Sequence, residues 1–227
     1  MCLRSGSLDL STVVWDLEML ARLGLSATGV IAFAASGALE AKRREMDAVG
    51  IITLACCTAV GGGMIRDVLI GAIPVAALVD LWMLALSVLA ALVVMVLVRT
   101  WERLRIPLLL CDAVGLGMFT VDGALKGLAF GLHPASAVVV GVITGVGGGI
   151  LRDILAREVP IVFRWRSPLY VVPALLGGAL IVGLSLAGWA GSAGMLGTAG
   201  LIVAIRVVAL RYGWHVPRGR GARSGQR

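Results

Sequence analysis

The sequence is poor in charge. Only 15% of its 227 residues are Asp, Glu, Lys or Arg, where an ordinary soluble domain carries about a quarter. A freely soluble globular fold is therefore excluded. So is a disordered chain, which needs high charge and little apolar content; here 59% of residues are hydrophobic. Histidine is scarce. His133 falls in a short connection between apolar runs and His215 in the C-terminal tail, and neither stands at metal-ligand spacing from other donors. Cysteine is scarce too. Cys56, Cys57 and Cys111 sit inside apolar runs, and with Cys2 they form no zinc-type spacing. They read as small reduced packing residues, which excludes a disulfide-stapled secreted domain. The first 18 residues carry Arg4, Asp9, Asp16 and Glu18 and have no apolar stretch long enough for a secretory signal. No Lys-Ser/Thr follows the glycines at Gly145–Gly149, so they are not a phosphate loop. Ala35-Ser36-Gly37 lacks the glycine an intramembrane serine protease would carry where Ala34 stands, and no histidine lies within a span to act as base. The sequence predicts no enzyme, no cofactor and no metal beyond transient monovalent cations.

What is present is hydrophobic length. Mean hydropathy is +0.99, and seven apolar runs fall near 19–40, 47–65, 78–98, 107–126, 134–152, 168–188 and 190–210. A helix needs about 20 apolar residues to cross a bilayer core of about 30 Å. The runs are continuous rather than alternating, which selects helices over barrel strands. The expectation is an all-α membrane protein with an N-terminal segment (1–18), one transmembrane domain (19–210) and a basic, disordered tail (211–227). The net charge of +7 reads as membrane topology rather than nucleic-acid binding. With seven spans, Arg4, Arg22, Arg66 and Lys126 fall on one side. The sixteen other basic residues, including Lys42, Arg43, Arg44, Arg164 and the arginines from Arg206 onward, fall on the other. The positive-inside rule places the N-terminus outside and the C-terminus in the cytoplasm.

The chain also repeats itself. Shifted by 86 residues, Phe33 falls on Phe119, Gly37-Ala38-Leu39 on Gly123-Ala124-Leu125, and Thr58 on Thr144. Gly61-Gly62-Gly63 falls on Gly147-Gly148-Gly149, Arg66-Asp67 on Arg152-Asp153, and Pro74 on Pro160. Between Phe33 and Pro74 there are 13 identities in 42 gap-free positions. The offset covers three spans, an odd number, so the second copy crosses the membrane in the opposite sense. This predicts an inverted 3+3 repeat (about 19–98 and 107–188) with a seventh helix near 190–210. Inverted repeats are a recurrent plan of transport proteins, with polar sites at the repeat interface and interrupted helices.

The glycine triplets are the expected interruptions, because glycine weakens a helix by about 1 kcal/mol relative to alanine. Gly61, Gly62, Gly63, Gly147, Gly148 and Gly149 are thus read as pathway residues whose freed carbonyls face a cavity. Close packing of helices is the competing reading. Thr58, Thr144, Ser36 and Asp122 are candidate polar lining, the hydroxyls alternatively bonding their own helix. Arg66, Asp67, Arg152, Asp153, Lys126 and Asp112 are candidate gate or electrostatic elements. Charge within a bilayer must be paired. The arginines are expected to meet Asp112 or Asp122, Asp122 and Lys126 to pair four residues apart, and the motif aspartates to cap a half-helix after each break. Leucine at Gly62 or Gly148 is expected to impair flux while the fold survives.

Two copies of GGG-x-x-R-D-x-L, each with a proline beyond, resemble the prokaryotic branch of the trimeric intracellular cation (TRIC) channels. These have also been classed as a bacterial glycine-transporter-domain family and as an uncharacterised membrane protein family. The resemblance covers about residues 20–210. It implies a homotrimer in the cell inner membrane, each protomer with its own pore, which passes potassium and, less selectively, other monovalent cations such as sodium. The pore would run between the repeats, past helices bent at the glycine triplets. It also matches Lys126 to a lysine common in the second repeat. One departure is Arg157, which stands where the first copy has Gly71. Surrounding lipid is the other expected partner. A secondary transporter of a small amino acid such as glycine is the alternative reading.

Overall fold

The computed structural model describes residues 10–98, 104–164 and 169–214, with side chains from Glu18 onward. Cys2, Arg4, Asp9, His215 and the tail beyond it lie outside the described residues. The described chain is all-helical: α1 (Leu10–Arg43), α2 (Ala48–Leu69), the single turn α3 (Ala76–Val79), α4 (Trp82–Leu97), α5 (Arg105–Ala129), α6 (Pro134–Leu155), α7 (Val171–Leu186) and α8 (Ser192–Tyr212). The N-terminal segment expected to precede the first span is helical from Leu10 and continuous with α1.

Among the described residues, five helices are long and apolar enough to cross a membrane: α1 over Glu18–Arg43, α2, α5, α6 and α8. The other two, α4 and α7, are apolar but have 16 residues each, or about 24 Å of helix. They are the third helix of each repeat, so their shortness is itself a repeated feature. In the first copy, part of the run expected at 78–98 goes to the separate turn α3 and to Asp80, which ends it.

Local signals set the helix ends. The Asp47 carboxylate accepts from the Gly50 N–H at 2.7 Å to cap α2. At the matching position His133 caps α6 through Nδ1, and Pro134 occupies the first turn, where its missing N–H costs nothing.

The packing follows the repeat. Helix α4 lies on α1 and α2, while α7 lies on α5 and α6. The two copies meet through α1 against α5 and α2 against α6, and α8 closes against α5 and α7. One core collects Phe33, Leu54, Ala55, Ala91 and Phe119. The other collects Leu116, Val121, Ile181, Met195 and Ile202. Leu89, Val96 and Leu97 on α4 and Leu175, Leu176 and Leu186 on α7 remain exposed, presenting apolar faces suited to lipid.

The turns are repeated as well, and one of them is strained. Gly71 closes the turn after α2 with φ +74°, and Arg157, its counterpart after α6, takes φ +57°. Glycine enters this left-handed region freely, whereas other residues do so at a cost of about 1 kcal/mol. The Arg157 side chain is exposed. Arg157→Gly is therefore expected to leave the fold intact and to stabilise it by up to about 1 kcal/mol, read as a higher midpoint of thermal unfolding in detergent.

Candidate functional site

The expectation that the glycine triplets interrupt their helices is corrected by the structure. Helices α2 and α6 run unbroken through Gly61–Gly63 and Gly147–Gly149. The reason is contact. A β-carbon on Gly62 would overlap the Thr144 carbonyl oxygen, and one on Gly148 would overlap the Thr58 carbonyl oxygen. The triplets let α2 and α6 cross backbone against backbone, and that packing outweighs glycine's weak helix propensity. Gly61 makes room for Leu151, Gly149 makes room for the Tyr170 hydroxyl and the Asp112 carboxylate, and Gly147 lies against the Gly62 backbone. Leucine at Gly62 or Gly148 would part the two helices, so survival of the fold is no longer expected for either variant.

Around this crossing the repeat equivalents meet. The Phe33 and Phe119 rings meet at a tilt of 35° with centroids 5.3 Å apart. Phe119 rests against Gly29 and Phe33 against Gly115 and Gly148. Thr58 and Thr144 pack against Gly37 and Gly123. Their hydroxyls donate to Leu54 O at 2.6 Å and Val140 O at 2.7 Å in their own helices. The structure thus places both threonines, fully buried, in the helix contacts.

Each arginine of the repeated motif builds a site at an opposite end of the bundle. In the first site, Arg66 donates from Nε to Asp67 Oδ1 at 2.8 Å and from a terminal nitrogen to Asp122 Oδ2 at 2.6 Å. Lys126 reaches the same Asp67 oxygen at 2.8 Å. This corrects the expected pair within α5: Lys126 crosses to a carboxylate of the other repeat, and Asp122 goes to Arg66. The reason is that Asp67 is 1% exposed, and a buried carboxylate flanked by one arginine draws a second donor. Asp67 Oδ2 also accepts from the Ala76 N–H at 3.0 Å, so it caps the turn α3.

The second site repeats this geometry more tightly. Arg152 donates to Asp153 Oδ1 from Nε at 2.9 Å and from a terminal nitrogen at 2.8 Å. Its other terminal nitrogen reaches Asp112 Oδ1 at 2.8 Å and the Ser36 hydroxyl. Asp153 Oδ2 accepts from the Ile161 N–H at 2.7 Å, where a short 3-10 turn, Ile161–Phe163, begins. Both motif aspartates therefore cap a short turn eight or nine residues on, not a half-helix within the span. The Tyr170 hydroxyl donates to Asp112 Oδ1 at 3.1 Å, and the Arg206 guanidinium lies 4.6 Å from the centre of the Tyr170 ring.

The two sites differ in exposure. Arg152 and Asp112 are both 0% exposed, whereas Asp122 is 24% and Lys126 26% exposed. The first site opens into a small pocket lined among others by Ser26, Gly63, Arg66, Asp67, Phe119 and Asp122. Of the residues singled out from the sequence, Gly63, Arg66, Asp67 and Asp122 face this pocket. Arg152, Asp153, Asp112 and Ser36 form the sealed site instead.

Sequence reasoning missed Ser26, Tyr170 and the burial of Arg206. The 86-residue offset could have found the first of them, since it maps Ser26 onto Asp112. Arg206, counted among the cytoplasmic charges, is buried between α8 and the Leu169–Tyr170 segment. No group of three or more potential metal ligands occurs among the described residues.

Known proteins are similar to this chain in sequence and fold. A family model described as a glycine transporter matches residues 23–99 and again 109–185, one match per repeat. The TRIC trimeric intracellular cation channel orthologue from Rhodobacter sphaeroides is 34% identical, with a TM-score of 0.80 over 85% of this chain and 98% of that one. The chain belongs to the prokaryotic TRIC family. A UPF0126 membrane protein of Vibrio cholerae is 38% identical over 207 residues, 91% of this chain and 84% of its own length. The UPF0126 inner membrane protein YadS of Escherichia coli is 41% identical over 157 residues, 68% of this chain and 74% of its own. Family membership makes this TRIC relative a multi-pass membrane protein and not an enzyme.

Removing one partner from a buried ion pair costs about 3–5 kcal/mol, while a partly exposed pair contributes far less. Asp112→Ala is therefore expected to lower the unfolding midpoint strongly or to prevent accumulation of folded protein. Asp122→Ala should lower it by less than half as much. Equal losses in detergent-solubilised protein would contradict the distinction between a sealed and an open site.

Proposed function

We propose that the chain is a monovalent cation channel, permeable to potassium and also to sodium, with one pore in each protomer of a homotrimer in the cell inner membrane. The observation that carries this reading is the state of the charges around the repeat interface. Both motif arginines are saturated by carboxylates, so neither opposes a cation as an unpaired charge, while Asp122 is partly exposed toward the pocket. The pathway proposed here enters at that pocket, passes Gly63 and the Phe33–Phe119 pair beside the Gly62–Gly148 crossing, and leaves past Ser36 and the second arginine site. Thr58 and Thr144 flank it. Conduction through the sealed end requires Arg152 and its partners to rearrange, because burial leaves no free path there.

Seven spans with the N-terminus outside and the C-terminus in the cytoplasm fit the charge distribution. The end of α1 carries Lys42, Arg43 and Arg44, and the loop after α6 carries Arg157 and Arg164. In this orientation the sealed second site faces the cytoplasm and the open first site the exterior. Lipid covers the exposed faces of α4 and α7.

The matching family model's description favours a second reading, a carrier of glycine or a similar amino acid. Such a carrier must hold a carboxylate and an ammonium together. The arginines near the crossing are already bound to protein carboxylates, which weighs against this reading.

Purified protein in liposomes separates the two. Potassium efflux without valinomycin, at rates far above about 10³ per second, the upper range of enzyme-like turnover, is the expected result. Saturable uptake of labelled glycine with no potassium flux would make the protein a carrier. A β-carbon on Gly63 meets nothing closer than the Arg66 guanidinium at 3.8 Å. Gly63→Ala is therefore expected to fold normally and to cut potassium flux several-fold. Unaltered flux in that variant would remove the first triplet from the pathway.

A further inference from the structure

Within the two arginine sites the repeat is an exchange. Ser36 corresponds to Asp122 and Ser26 to Asp112, so serine and aspartate stand in exchanged places. One step further out the correspondence is lost. Arg43, Arg44, Glu158 and Arg164 stand at the sealed end, and the same positions in the other copy are Ala129, Phe130, Ala72 and Leu78. The backbone is nonetheless shared. The Glu158 N–H donates to Asp153 O at 2.8 Å, and the Ala72 N–H donates to Asp67 O at 2.8 Å. The same turn thus presents a carboxylate at one end of the bundle and a methyl group at the other.

That carboxylate joins two parts of the chain. Glu158 Oε2 accepts from Arg164 of its own loop at 2.7 Å. Its Oε1 meets Arg44 and lies 3.8 Å from Arg43, both at the end of α1. The two α1 arginines are themselves anchored on buried Glu40. Arg43 reaches it through two bonds of 2.8 and 2.9 Å, and Arg44 through one of 3.2 Å. Glu40 stands one helical turn beyond Ser36, whose hydroxyl receives Arg152. Two rungs therefore tie α1 to the end of α6: Ser36 to Arg152 inside, and Arg44 to Glu158 outside. Water reaches only the outer one. The Arg152 side chain is 0% exposed, whereas Arg44 is 33% and Glu158 29% exposed. Exposed pairs are weak and screened by salt, so the outer rung can release while the inner one still holds.

We propose that Glu158 is a latch: it clasps the end of α1 to the turn after α6 across the sealed mouth, and its release precedes the rearrangement of Arg152. The effect on permeation rests on the channel reading above; the clasp itself does not.

The test uses the full-length protein in two measurements. In planar bilayers, Glu158→Gln is expected to raise the open probability of the potassium current roughly two- to fivefold, the scale of a small exposed ion-pair network. The difference should vanish between about 0.1 M and about 1 M potassium chloride, as screening shortens the reach of a charge from about 10 Å to about 3 Å and the unaltered protein opens too. Equal open probability at low salt, or a gain undiminished at high salt, overturns the latch. The second measurement needs no current. Glu45 and Arg157 are exposed and lie outside the clasp on its two sides. Spin labels on Glu45→Cys and Arg157→Cys, with the native cysteines replaced by alanine, report the gap by electron paramagnetic resonance. Glu158→Gln should shift that distance distribution to longer, broader values, and an unchanged distribution overturns the latch. A lengthened distance in a protein that passes no ion would uphold the clasp and overturn the channel reading.

Discussion

The fold depends on neutralising one guanidinium in each repeat. An arginine inside a membrane bundle must be paired with a counter-charge or a backbone carbonyl, and here each motif arginine meets two carboxylates, one beside it in sequence and one from α5. The local partner also caps the turn beyond its helix. The distant partner ties α2 to α5 in one case and α6 to α5 in the other. Helix α5 therefore sits at the centre of the molecule electrostatically as well as sterically. It is the helix whose face buries Asp112, Gly115, Phe119, Thr120 and Gly123.

Glycine provides the second constraint. The helix crossing at Gly62 and Gly148 brings backbone against backbone, and the phenylalanine pair fills the space beside it. Large rings against β-carbon-free positions pack the centre of the protomer densely. The charged clusters lie toward the two ends, where one is sealed and the other partly exposed. The resulting molecule is symmetric in backbone and asymmetric in access.

Much of this was legible in the sequence, because the strongest signals were long-range and periodic. The apolar runs located the helices, the 86-residue offset located the arginine motifs, and the need to pair charge within a bilayer pointed to Asp112 and Asp122 as the carboxylates that meet them. Where the reading failed, a local rule had been applied to a tertiary environment. Glycine's low helix propensity predicted a break at each triplet, yet propensity is a weak prior beside packing. The four-residue spacing of Asp122 and Lys126 predicted a pair within α5, yet two buried carboxylate–guanidinium contacts redistributed the partners. The burial of Arg206 and its contact with the Tyr170 ring had no sequence signature.

The exchanged serines and aspartates bear on ancestry. An inverted repeat of this kind is what remains when a gene for a helix trio duplicates and the copies fuse in opposite senses. Before fusion, two identical trios would have faced each other, each supplying the other's needs. In the present chain that reciprocity is gone. The first trio carries Arg66 with serines at both cross-repeat positions, and the second carries carboxylates at both. Two first halves facing each other would leave their arginines without cross-repeat counter-ions, and two second halves would bury acid in excess. Fusion has become obligatory, because each half now holds what the other lacks.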